Sequence, residues 1–161
     1  MLKVLVPNLV AKHTHPVIIQ AILFFSLLLV ASVYDIRKKL IPNSVCVLIA
    51  AIALITFSPV KLFGILAAIP LFIAALCKQG SIGGGDIKLT AAAGLVLGFG
   101  NSIAGLVIGL ASLLICYAVI VTMTRMKVIG KKSEEKKPAP LSLPMAPFLS
   151  IGFIITYLSI F

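Results

Sequence analysis

Three observations in the sequence predict an all-α polytopic membrane protein, a bundle of about six transmembrane helices. Hydrophobic residues make up 61% of the 161-residue chain and its mean hydropathy is +1.22, far above what a soluble domain of this size carries. The apolar residues fall in six long runs, and in lipid only helices satisfy their backbone groups within one segment. An outer-membrane barrel would instead show strands of about ten residues that alternate apolar with polar. Charged residues are only 11% of the chain and collect between the runs.

The first run, Val17–Tyr34, resembles the core of a signal peptide, but its basic cluster Arg37-Lys38-Lys39 follows the run, so a retained anchor is expected. Ahead of it an exposed polar tail is expected, with His13 and His15 as an H-x-H lacking any nearby Cys, Asp or Glu. Val45–Phe57 and Leu62–Cys77 are the second and third runs, and Pro42 suits the first turn of the second. The fourth, Leu89–Phe99, is short. From Ile87 a helix there rises about 20 Å against roughly 30 Å of hydrocarbon, so it starts below the surface or in a thinned region. Gly80-Ser81-Ile82-Gly83-Gly84-Gly85 before it then reads as the wall of a hydrated cavity, because irregular backbone at that depth must be buried or line water. Ala93–Gly98 and Ala104–Gly109, on the fourth run and the fifth (Ile103–Met123), are nearly the same hexapeptide. Each holds a G-x-x-x-G that lets helix backbones approach closely, and Gly98, Gly100 and Asn101 mark the turn between them. Arg125–Leu143 mixes lysines, Glu134, Glu135 and prolines, which gives a solvated loop rather than a second domain. Its basic excess favours anionic lipid headgroups. Met145–Phe161 is the last run, and Pro147 fixes where it begins. A single domain over 1–161 is expected. Cys46, Cys77 and Cys116 lie singly, with no C-x-x-C, and read as small apolar fillers.

A net charge of +10 raises nucleic acid as a partner, but the basic residues sit in loops, where positive charge records the cytoplasmic side. Arg37, Lys38, Lys39, Lys78, Lys88, Arg125, Lys127, Lys131, Lys132, Lys136 and Lys137 fall on one face; Lys3, Lys12 and Lys61 fall on the other. The N-terminus is therefore expected outside, and the end of the first span shares the cytoplasmic face with the start of the fourth. No nucleic-acid role is expected.

That topology lets the only two aspartates, Asp35 and Asp86, meet. A carboxylate at membrane depth is costly unless paired, solvated or used, so each is a functional-site candidate. Taken singly, Asp86 could cap a helix start and Asp35 could pair with Arg37, Lys38 or Lys39. A shared explanation is aspartic proteolysis, in which two carboxylates hold one proton; one activates water while the other polarises the scissile carbonyl. That chemistry needs no metal, cofactor or nucleophilic side chain. Lys88, two residues on, would favour a charged Asp86. The alternative is a small proton- or cation-coupled transporter using the same acids, although a transporter would more naturally hold them near the midplane. A non-enzymatic scaffold would tolerate loss of either.

At these residues the chain resembles the prepilin leader peptidases, of the G-x-G-D group of membrane aspartic proteases. Tyr34-Asp35-Ile36-Arg37-Lys38-Lys39-Leu40-Ile41-Pro42-Asn43 is similar to that family's aspartate, basic stretch and I-P-N. Gly83-Gly84-Gly85-Asp86-Ile87-Lys88-Leu89 is similar to its G-G-G-D-x-K-L. Leu143-Pro144-Met145-Ala146-Pro147 resembles its proline-rich lead-in to the last span, with Met145-Ala146 where Phe-Gly is common. The resemblance implies that Asp35 and Asp86 are the catalytic pair, with Gly83, Gly85, Lys88, Pro42 and Asn43 supporting them. It also implies a multi-pass protein of the bacterial cytoplasmic membrane that cuts the leader of a type IV prepilin-like precursor at the cytoplasmic face. Larger members that also methylate the new N-terminus carry a cysteine-paired domain between the first two spans, where this chain has Leu40–Ser44, so no methyltransferase activity is expected. The size is closer to the short members acting on Flp-type pilins, which this reading favours, or to the archaeal preflagellin peptidases.

Overall fold

The computed structural model describes the backbone at 2–77, 83–129 and 143–159 and the side chains at 16–77, 83–124 and 143–159. Among the described residues there is no strand, and the α-helices are α1 Leu2–Lys38, α2 Asn43–Ala53, α3 Ile69–Cys77, α4 Gly84–Leu97, α5 Phe99–Ile129 and α6 Ala146–Leu158. A 3₁₀ turn, Leu54–Thr56, extends α2, and a longer 3₁₀ segment, Pro59–Ala68, runs straight into α3. Three stretches, Pro16–Lys38, Pro59–Cys77 and Phe99–Thr124, are long and apolar enough to cross a membrane. Asn43–Thr56 and Ala146–Leu158 are shorter apolar helices.

Two expectations of local structure change. The stretch ahead of the first span is helical, since α1 begins at Leu2 and continues through Pro7 and Pro16 into the span Pro16–Lys38; the exposure expected of it lies outside the described residues. The side chains of His13 and His15 lie outside the described residues. The fourth helix starts at Gly84, ahead of the apolar run, so Gly84 and Gly85 belong to its first turn rather than to an irregular loop. Asp86 falls within that first turn, as the helix-start reading of it allowed. Gly80-Ser81-Ile82 and most of the 125–143 loop, with Glu134 and Glu135, lie outside the described residues.

α4 is the element the others surround. It packs against α2, the Pro59–Ala68 segment and α5, with lighter contact to α6 and α3, while α1 closes on α2 and α6. Its small residues make this possible. Lipid gives helices no hydrophobic reason to associate, so packing depends on close backbone approach. A Cβ at Gly94 would overlap the main chain of Gly64, and one at Gly64 would overlap Gly94. Likewise, Gly152 of α6 lies directly against Gly105 and Gly109 of α5. Three of the four glycines in the repeated hexapeptides thus serve helix contact. The fourth, Gly98, turns the chain at φ +81 between α4 and α5. Phe24, Leu28, Ile49, Leu89, Leu149 and Phe153 fill the centre at 0% exposure, whereas Leu29, Leu48, Phe72 and Leu114 face outward as a lipid-contacting surface would. Of the cysteines, Cys46 is a buried filler as expected, but Cys77 is exposed and Cys116 intermediate.

Candidate active site

Each aspartate lies near a helix end. At the foot of α1, the Lys39 N–H donates to the Asp35 carbonyl at 2.8 Å and Lys39 itself takes φ +52. This left-handed cap stops the helix one turn after Asp35 and swings the chain back as Leu40-Ile41-Pro42. Pro42, extended at φ −62 and ψ 134, stands one residue before α2 rather than in its first turn; its missing N–H costs nothing there either. Asp86 is the third residue of α4.

These segments, distant in sequence, converge through three contacts. Gly85 sits under Ile41, whose Cβ would be 3.0 Å from a Cβ at that glycine. The Lys88 ammonium donates to Asn43 Oδ1 at 3.0 Å. The Ala146 N–H, at the start of α6, donates to Asp35 Oδ2 at 2.8 Å in a buried contact. Pro147 at the second helical position has no N–H to offer, so Ala146 is the donor that this end presents. Gly83 keeps the other side open, since a Cβ there would come within 3.2 Å of Asp86 Oδ2.

Both carboxylates are buried, each 7% exposed, and Asp35 is close enough to act electrostatically on Asp86. Asp86 Oδ1 has no hydrogen-bond partner among the described residues, and neither has Thr90 Oγ1, one turn on along the same face of α4. A buried polar atom left unmatched is expensive, so this Asp86 oxygen and the Thr90 hydroxyl one turn away mark a place where folding stability has been given up.

The simpler readings of each acid find little support. Asp86 makes no side-chain capping hydrogen bond. Asp35 Oδ2 is held by main chain, and the ammonium of Lys38 lies 5.6 Å over the Tyr34 ring. The expected stabilisation of a charged Asp86 by Lys88 is also replaced, because that side chain reaches across to α2 instead. Among the described residues no three His, Cys, Asp or Glu side chains group as metal ligands.

Sequence reading missed the polar seam that sets α1 against α6. Ser32 Oγ is within hydrogen-bond reach of Leu28 O at 2.9 Å and of Ser150 Oγ at 2.9 Å, and Ser150 Oγ is 3.3 Å from Leu28 O. Ser32 precedes Asp35 by one turn and Ser150 follows Ala146 by one turn, so the seam fixes the distance that the Asp35–Ala146 bond spans. The available signal was polar residues at helical spacing from the acid on otherwise apolar spans. Ser150→Ala is expected to lower stability by about 1 kcal/mol, read as a reduced melting temperature in detergent, whereas Ser150→Thr keeps the hydroxyl and most of the stability.

Comparison with known sequences gives the same direction. A sequence model described as the type IV leader peptidase family matches residues 22–122, a stretch containing both aspartates. The chain is also 32% identical, over 154 residues, to the prepilin leader peptidase/N-methyltransferase of Bacillus subtilis (strain 168). That match covers 86% of this chain and 54% of the relative, so the chain spans about half the length of the curated protein it matches. No solved structure matches significantly.

Proposed function

Because the chain belongs to the type IV leader peptidase family, we propose that it is a membrane-embedded aspartic endopeptidase that removes the leader of a type IV prepilin-like precursor. Asp35 and Asp86 are its catalytic pair. The observation that carries this reading is the meeting of the three motif segments around two buried carboxylates.

In this mechanism the two carboxyls hold one proton between them, since like charges at short range resist double ionisation. Asp35, with Oδ2 already accepting an N–H at the positive end of α6, serves as the base. Asp86, unmatched at Oδ1, carries the proton. Asp35 takes a proton from water as the water oxygen attacks the scissile carbonyl carbon, while Asp86 donates a hydrogen bond to the carbonyl oxygen. The tetrahedral adduct then collapses, the C–N bond breaks, and a proton passes to the leaving amine. Gly83 and Gly85 keep the approach to Asp86 free of side chains, and the Lys88–Asn43 bond ties α4 to α2 beside it.

Further parts of the reading rest on sequence. The basic loops favour cleavage at the cytoplasmic face, with the N-terminus outside. Residues 39–42 are all that separates α1 from α2, so we assign no methyltransferase activity, and the brevity of that connection favours a Flp-type pilin as substrate. The transporter alternative loses ground because both acids lie at helix ends rather than midway along α1 and α4.

Co-expression with candidate pilin precursors tests the proposal. The intact chain should shorten a precursor at one site, located by mass spectrometry of the product, and a chelator added to the purified enzyme should leave the rate unchanged. Precursors that stay full length across a panel of type IV and Flp-type pilins would end the reading.

A further inference from the structure

At the end of the bundle away from the aspartates lies a second polar cluster for which the peptidase reading has no use. Gln20 is about 22 Å along α1 from Asp35, and Leu97 about 16 Å along α4 from Asp86, at 1.5 Å per residue. Between them is a cavity of about 210 Å³ lined by Gln20, Thr56, Lys61 and Asn101, with Val17 and Tyr157 among its apolar walls. Gln20 is 2% exposed and anchored: its Nε2 donates to Ile52 O at 3.2 Å and its Oε1 accepts from Thr56 at 2.7 Å. The Lys61 ammonium donates to Thr56 Oγ1 at 3.0 Å, and Asn101 Nδ2 donates to Leu97 O at 3.2 Å.

Among the described residues this cluster holds no negative charge. The chain has four acidic residues in all. Two are the aspartates at the far end, and the others, Glu134 and Glu135, lie outside the described residues, more than thirty positions on in sequence from Asn101. Lys61 is half-buried, and its one hydrogen bond goes to a neutral hydroxyl. A desolvated ammonium without a counter-charge is unfavourable, and an ionisable group in a membrane span calls for a partner. The remaining N–H bonds of Lys61, Gln20 and Asn101 are all donors, and donors around a cation select an oxyanion.

We propose that this cavity is an anion site that takes a phosphate group, supplied by an anionic phospholipid headgroup or by free phosphate. Lys61 provides the charge; Gln20 and Asn101 orient the oxygens. The occupant ties the C-terminal ends of α2 and α4 to the start of α5, so it stabilises the bundle without touching the aspartates.

Purified chain in neutral detergent is titrated with phosphatidylglycerol, with phosphatidylcholine, and separately with millimolar inorganic phosphate. Retained lipid is read by native mass spectrometry and stability by melting temperature. Phosphatidylglycerol is expected to be retained and to raise the melting temperature, with affinity about five- to tenfold lower in Lys61→Gln and kept in Lys61→Arg. Lys127→Gln, which removes one charge near the opposite end of α5, should bind as the native chain does. A thermal shift with inorganic phosphate alone identifies free phosphate as the source. A shift only with phosphatidylglycerol identifies the lipid. Equal retention of the two lipids without any phosphate response, or equal affinity in the native chain and a folded Lys61→Gln, overturns the proposal. Should Lys61→Gln not fold, Asn101→Leu gives the same comparison.

Discussion

Asp86→Asn should abolish precursor cleavage and at the same time raise the melting temperature. The two effects have one origin. Asp86 is a buried carboxyl with an unmatched oxygen beside a second carboxyl, an arrangement that costs stability and that catalysis requires. An amide of the same shape is neutral without having to take up a proton, so it relieves the cost of keeping a buried carboxyl protonated, and it also removes the proton that the mechanism donates. Loss of one member of an acid–base pair lowers the rate by about 10²- to 10⁴-fold, so no cleaved pilin should be detected in a co-expression experiment. Asp35→Asn should be equally inactive but gain less stability. Its amide oxygen can still accept the Ala146 N–H, though more weakly than a carboxylate does. Asp35→Leu leaves that N–H buried without an acceptor and should melt lower by about 1–3 kcal/mol. In the native enzyme a pair holding one proton works only between the pH at which the base is protonated and the pH at which the shared proton is lost. The rate should therefore fall on both sides of its maximum. An Asp86→Asn protein that still processes precursor would sink the two-carboxylate mechanism. An inactive one that melts lower than native would leave the mechanism standing and remove the claim of stored instability.

The helical membrane architecture could be read from hydropathy because lipid permits little else for long apolar runs, but the count of six spans could not: among the described residues only Pro16–Lys38, Pro59–Cys77 and Phe99–Thr124 are long and apolar enough to cross, and the third run is part 3₁₀. Boundaries set by single residues were harder. The left-handed Lys39 that ends α1 has no glycine to announce it, and α4 begins in glycines that propensity assigns to a loop. For the site, both acids could be named, because aspartate is rare enough here for two to stand out. Their surroundings could not. The partner of Asp35 is a main-chain N–H, invisible in any residue pattern, and it comes from a helix more than a hundred residues away. The reach of Lys88 to Asn43 instead of Asp86 is a tertiary choice: on a helix, residues two apart point to different sides. The cavity at Lys61 escaped for a similar reason, since it draws its four polar residues one each from α1, the turn after α2, the Pro59–Ala68 segment and α5.

The second large effect concerns the joint between α5 and α6. Gly152→Val should remove most of the protein from the membrane, or leave it melting lower by about 3 kcal/mol or more. The Gly105 carbonyl occupies the space where a Cβ would go, and the Gly109 nitrogen would be only 2.7 Å from that Cβ. Both obstacles are main chain, so no rotamer change relieves them. α6 would have to move away from α5. Such a movement reaches the acids, because the Ala146 N–H that holds Asp35 and the Ser150 hydroxyl beside Ser32 are on the same rigid helix. Even Gly152→Ala, if it accumulates, should therefore cleave more slowly than its melting temperature alone suggests. Gly100→Ala is the control for α5, since nothing lies within 4 Å of its added methyl. It should match the native protein in both stability and rate. Gly94→Val, which meets the main chain of Gly64, separates the two consequences of crowding: it should destabilise by a similar amount at a joint remote from α6. If Gly94→Val and Gly152→Ala lose cleavage only in proportion to lost stability, the α6 contact to Asp35 is structural. A surplus loss of rate in Gly152→Ala, measured per folded molecule, makes α6 part of the catalytic geometry.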